Sequence, residues 1–174
     1  MALQFDPYVG PRNPGDPSSI EGAITSLVVI DPQPFNGGSG NHVVDPAKPF
    51  KLRVEWEVAG QLAPLFLDRG APTWLVRTYA ESIGPGQEIE LARDTTVARR
   101  GAAAANPDPL RPNRELFAVE LTVPANALSE DGPNSSGLYK LVATVFLDSQ
   151  SVGSPGYDLT GYFEGPIIQV ESQS

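Results

Sequence analysis

The chain has 174 residues, a net charge of −9, 19% charged residues and no cysteine. That length suits one domain with arms or loops to spare, the missing cysteine excludes disulfides, thiolate metal sites and a cysteine nucleophile, and the acidic balance disfavours nucleic acid. No stretch approaches the ~20 apolar residues of a membrane span, and the N-terminal MALQFDPYVGPRNPGDP has neither the basic start nor the apolar core of a secretory signal. A protein that is cytoplasmic as synthesised is expected, with no membrane or nucleic-acid partner, free or as part of a particle or machine released later.

Residues 1–22 contain Pro7, Pro11, Pro14 and Pro17 with Gly10, Gly15 and Gly22, a composition that suits neither a helix nor a central strand. They are expected to form an extended arm. Its aromatic residues Phe5 and Tyr8 gain by burial, which points to contact with a neighbouring subunit. All strong alternation begins after Ile20, so the domain, residues 23–174, is expected to stand without the arm.

Within the domain, residues 23–31 (AITSLVVID) are β-rich. The loop that follows has glycines at 37, 38 and 40 and carries His42, the one histidine of the chain. A lone histidine without Cys or carboxylate at ligand spacing gives no metal site. In residues 50–58, Phe50, Leu52, Val54, Trp56 and Val58 alternate with Lys51, Arg53, Glu55 and Glu57. One face goes to a core and the other, including the paired carboxylates, to water. Leu62, Leu65, Phe66 and Leu67 follow, suited to a short helical turn that plugs one end of a sandwich.

Residues 73–82 and 87–94, joined through the GPG turn at 84–86, read as a hairpin. Residues 95–114 then break the strand rhythm with Gly101, Pro107, Pro109 and Pro112. A loop of this length inside a compact domain is uncommon and is often functional. It is also where the charge changes sign. Residues 93–114 hold five Arg and two Asp, net +3, while residues 115–174 hold one Lys and eight acids, net −7. Arg99, Arg100, Arg111 and Arg114 are therefore expected to meet an acidic face of another copy or of a larger particle, outside the strands that set the stability of the monomer.

Residues 115–123 alternate again, with Phe117, Val119, Leu121 and Val123 inward. Residues 138–147 (LYKLVATVFL) carry apolar side chains on both faces, as a central strand between two layers does. A last strand starts near residue 160, and its Pro166 implies an edge position or a bulge. Seven antiparallel strands, near 24, 50, 73, 87, 115, 138 and 160, with Gly- and Pro-rich turns make an all-β sandwich or barrel.

Three features resemble the immunoglobulin-like β-sandwich superfamily over roughly residues 23–172. Residues 50–58 would be strand B. Trp74 falls in the presumed strand C, where such domains often keep a core tryptophan. Tyr139 follows a turn-rich corner at the start of the presumed strand F, as in a tyrosine corner. The resemblance implies that the Tyr139 hydroxyl bonds to backbone near residues 128–131. It also implies that Leu52 or Val54, with Leu141, stands in for the bridging cysteines that this chain lacks. A jelly roll is the alternative fold.

Chemistry is thinly marked. No G-x-S-x-G surrounds a serine, no phosphate-binding glycine loop precedes a helix, and Glu55/Glu57 and Glu88/Glu90 each share one strand face. Glu130, Asp131, Asn134, Asp148, Asp158 and Glu164 lack the spacing of a calcium loop. No catalytic residue, cofactor or metal is assigned. The expectation is a non-catalytic structural or assembly module that packs against copies of itself or a larger protein particle through its arm and loops, with Phe5, Tyr8, Arg99, Arg100, Arg111 and Arg114 as the contact residues. The alternative is a ligand-binding module for carbohydrate or protein, using exposed aromatics among Tyr79, Tyr157, Tyr162 and Phe163.

Overall fold

Period-two alternation sorts the chain into two sheets. The computed structural model describes residues 5–13, 16–31, 42–67, 73–95, 109–130, 136–148 and 158–172, together with the backbone of 99–102. In chain order the strands are β1 (Glu21–Asp31), β2 (Val43–Val44), β3 (Phe50–Ala59), β4 (Thr73–Ser82), β5 (Ile89–Asp94), β6 (Arg99–Ala102), β7 (Glu115–Val123), β8 (Leu138–Asp148) and β9 (Leu159–Val170), with one short helix, α1 (Ala63–Leu67). One sheet has the order β1-β3-β7-β6 and the other β2-β9-β8-β4-β5.

Two strands exceed the seven expected. β2 lies in the glycine-rich stretch read as loop, and it pairs with β9 in parallel, so the fold is not wholly antiparallel. β6 lies inside the 95–114 segment, where the backbone of Arg99–Ala102 pairs with β7 despite the lost alternation. An edge strand needs only one partner, so two to four residues suffice where a neighbour presents free backbone groups.

β3 and β8 are central in their sheets, and their inward residues Leu52, Val54, Leu141, Ala143 and Val145 are fully enclosed. Between the sheets lies an aromatic cluster. Trp56 meets Trp74 edge-on with centroids 5.3 Å apart and stacks on Phe117 at 5.5 Å, while Trp74 and Phe117 are 5.0 Å apart. Phe66 and Leu67 of α1 are buried against the same core. The Tyr139 hydroxyl donates to the Ser129 carbonyl at 3.0 Å, within the upstream stretch expected for it.

Bulges re-aim two strands. In β1 the register shifts between Ile24 and Ser26, so the inward set steps from Ile24 to Leu27 and Val29. In β9 the shift spans Gly165 and Pro166, which lets Leu159 at one end and Ile168 and Val170 at the other all point inward. An extra residue reverses the alternation beyond it.

Candidate recognition surface

The residues singled out for contact with a partner go to three different places. Phe5 is 1% exposed and belongs to the core of its own chain. Its N–H donates to the Gly22 carbonyl on β1 at 2.9 Å, and Asp6 and Thr160 on β9 exchange bonds of 2.8 and 2.9 Å. The arm thus joins the edges of both sheets. The ring sits between two glycines: a Cβ on Gly22 would lie 2.5 Å from it, and a Cβ on Gly161 would overlap it outright. At its tip the ring meets Trp74, with centroids 6.4 Å apart. Tyr8 and Val9 remain on the surface, 44% and 39% exposed.

Arg111 and Arg114 are engaged within the chain. Arg111 donates through Nε to Glu21 on β1 and through Nη2 to Glu57 on β3. Arg114 Nε donates to the other oxygen of Glu57 at 2.8 Å. Glu57, expected on a solvated face, is 5% exposed. Burial opposes its charge, but the hydrogen bonds from Arg111 and Arg114 outweigh burial and hold its pKa below the ordinary glutamate value. Burial likewise works against the Arg111 charge, and its bonds to Glu57 and Glu21 prevail, so its pKa is raised. The backbone secures the same corner: Gly60 N–H donates to the Pro112 carbonyl at 2.7 Å, and Asn113 Nδ2 donates to the Gly60 carbonyl at 3.2 Å. Arg99 and Arg100 lie on the edge strand β6.

What the alternation did not single out is the difference between the two outer faces. On the four-stranded sheet β3 and β7 present Lys51, an Arg53–Glu55 ion pair, Glu120 and Thr122, a charged and polar surface. On the five-stranded sheet the outer residues of β4 and β8 include Leu75, Tyr79, Val142 and Phe146. Four of the eight exposed large hydrophobic side chains among the described residues, Ile83, Leu138, Tyr162 and Ile167, lie on or at the rim of this face. Lys140 and Glu164 form an ion pair across it. The five-stranded face thus carries the larger exposed apolar side chains, set among Arg77, Glu81, Lys140 and Glu164, while the four-stranded face has half-buried Val28, Ile30, Leu116 and Ala118 beside its charges.

At one end of the apolar face Leu75, Arg77, Tyr79, Thr144, Phe146 and Thr160 enclose a shallow depression of about 270 Å³. Arg77 lies within it, and the Tyr79 hydroxyl beside the guanidinium is the main cause that raises its pKa. Its Nε is enclosed without a hydrogen-bond acceptor among the described residues. A second depression, of about 310 Å³, lies at the other end along Ser136, Gly137, Leu138, Gln169 and Val170. Of the aromatics considered for stacking, Tyr79 and Tyr162 are on this face, Phe163 packs against the core, and Tyr157 lies outside the described residues.

His42 pins β2 to β9: its Nδ1 is 3.0 Å from the Ile167 carbonyl, and its own carbonyl accepts from Gln169 N–H at 2.6 Å. Among the described residues no three His, Cys, Asp or Glu side chains converge as a metal site would need, and no helix is long and apolar enough to cross a membrane. Asp131 and Asn134, two of the oxygen donors considered for calcium, lie outside the described residues. Comparison with models of known protein families gave no match, and comparison with curated protein sequences gave none either.

Proposed function

We propose that this chain is a non-catalytic recognition and assembly module, an immunoglobulin-like sandwich that docks a protein partner on the outer face of its five-stranded sheet. The partner is a further copy of the chain or a component of a larger particle. The observation that carries the reading is the set of exposed apolar side chains on this face, Ile83, Leu138, Tyr162 and Ile167, with half-buried Leu75 and Phe146 at its other end. Exposed large apolar side chains gathered on one sheet face, even with charges set among them, mark a candidate interaction site. Arg77 and the Lys140–Glu164 pair among them would give orientation, since polar groups at an interface fix register.

Strand order supports the fold reading. With β3 as strand B, β4 as C and β8 as F, the order β1-β3-β7-β6 reads as A-B-E-D and β4-β8-β9 as C-F-G, with β5 added beside β4. Leu52, Val54 and Leu141 stand where bridging cysteines would, and all are enclosed. A protein partner suits the face better than a sugar. The rings there, Tyr79, Phe146 and Tyr162, are accompanied by aliphatic Leu75, Ile83, Leu138 and Ile167 rather than forming an aromatic platform of their own.

A photo-crosslinking amino acid placed at Tyr162 tests the reading in cells that naturally make the protein, with one at Glu120 on the charged sheet as control. A discrete adduct from position 162, weakened at least tenfold by Arg77→Glu, is expected, with none from position 120. No adduct at 162, or equal adducts at both positions, would overturn it.

A further inference from the structure

Taking the outer face of the five-stranded sheet as a docking surface, we infer that its occupant is a second copy of this chain, stacked face to face about a two-fold axis that lies across β4 at Tyr79. The outer residues of β4, β8 and β9 stand in rows. Tyr79, Val142 and Glu164 form the middle row. Arg77, Thr144 and Tyr162 stand one row to one side, and Glu81, Lys140 and Ile167 one row to the other. Leu75 and Phe146 occupy the outer row on the first side, and Ile83 and Leu138 the outer row on the second. Turning a second copy over about the middle row sets each row on its opposite number. Arg77 then meets Glu81, Leu75 meets Ile83, Phe146 meets Leu138 and Tyr162 meets Ile167. A two-fold contact is self-complementary in this sense, each residue meeting its counterpart twice.

Charge selects this arrangement. Arg77 and Glu81 are about 13 Å apart along β4, too far to pair within the chain. Arg77 has the Tyr79 hydroxyl beside it but no acceptor for its Nε among the described residues, and Glu90, the carboxylate that acts on it, is bonded to Arg93 at 3.2 Å. Glu81 is exposed and feels Lys140 only at a distance, because that ammonium is bonded to Glu164. Glu90 and Glu164 lie in the row of the axis and would face their own copies, yet each already has its cation within the chain. The guanidinium and the carboxylate left without a bonded counter-ion are the two that the axis brings together, and a guanidinium suits a carboxylate by its forked geometry. The exposed apolar residues at one end are covered by those at the other. Strands of the two copies run antiparallel, within the ~30° that stacked sheets adopt. The face measures about 20 by 30 Å, roughly 600 Å² per copy. That is at the low end for a stable interface, so the dimer should dissociate on dilution.

Sedimentation of the full chain over a concentration series tests this. The native protein should be a mixture of monomer and dimer. Arg77→Glu or Glu81→Arg alone should weaken the dimer about tenfold or more, since each sets like charges against one another twice. Mixing the two single variants should restore a dimer to within about threefold of the native one, because every opposed pair then joins opposite charges. That recovery also shows both variants to be folded. The second measurement needs no charge variant: the crosslinker at position 162 should give an adduct of twice the chain mass. A native chain that stays monomeric at every concentration, or a mixture of folded variants that associates no better than either alone, would overturn the inference. An adduct at 162 with a different protein would then leave the docking surface standing, whereas no adduct there would remove both.

Discussion

Replacing Phe5 by alanine tests how far the arm belongs to the domain. The ring is 1% exposed, so truncation forfeits the burial of one aromatic side chain, about 1.5–3 kcal/mol. It also forfeits the edge contact with Trp74, about 0.5–1.5 kcal/mol. The two together give about 2–4.5 kcal/mol, in the range of buried Phe→Ala substitutions. The loss has a ceiling, because the arm peels away once the hole costs more than the bonds to Gly22 and Thr160 return. About 3 kcal/mol in a chain of this size lowers Tm by about 6–12 °C. The assay is urea and thermal unfolding of dilute native and Phe5→Ala protein, followed by circular dichroism. Gly161→Ala should imitate the effect, since its methyl would enter the volume of the ring. A Phe5→Ala change below about 0.5 kcal/mol would refute the placement of the ring in the slot, and would restore an arm that leaves the domain indifferent.

Tyr139→Phe should cost about 1–2 kcal/mol in a denaturant titration with unchanged slope, since the buried hydroxyl donates to the Ser129 carbonyl; a neutral result would dissolve the corner. Leu141→Ala, at a fully enclosed position on a central strand, should cost about 2–5 kcal/mol. The folded-state pKa of Glu57 is lowered, so its contribution is complete above the unfolded-chain value and is lost as pH falls through the folded value. Stability should therefore decline below about pH 4, and Glu57→Gln should flatten that part of the curve. Asp16, held down to about 2 chiefly by the Ser18 hydroxyl and the Ser18 and Arg12 amides, acts with the same sign. Arg111→Ala should destabilise by about 1–3 kcal/mol through the bonds to Glu57 and Glu21, whereas a free surface arginine would leave Tm unmoved.

Strands that alternate over a long run were legible in the sequence. Residues 50–58, 73–82 and 115–123 carry enough inward apolar residues that only one register buries them. β2 and β6 were not legible because a strand of two to four residues has no period to detect. The expectation at Glu57 failed for a related reason: parity assigns a residue to a face but says nothing of what covers that face. The cover comes from Arg111 and Arg114, more than fifty residues away and in a segment without rhythm. Phe5 shows the same limit. A proline-rich stretch reads as unstructured locally, yet it is held by Gly22, Trp74, Thr160 and Gly161, which only the fold gathers. The apolar outer face was half visible, since residues 138–147 carry apolar side chains on both parities. Their outer set meets no third layer among the described residues.

The arm also bears on where association can occur. A sheet edge with free backbone groups invites another strand. Here Phe5 takes the Gly22 carbonyl of β1, Asp6 takes Thr160 of β9, Val9 takes Ile20, and β2 takes the far end of β9. The bulges in β1 and β9 interrupt the regular ladder between those points. The β1/β9 side is therefore a poor template for an unrelated strand, although it holds a specific seat for residues 5–9. The contact proposed across the outer face of the five-stranded sheet involves none of these residues, so Phe5→Ala should spare the crosslink at Tyr162. Loss of that crosslink in dilute, folded Phe5→Ala protein would mean that the β1/β9 side takes part in the same contact.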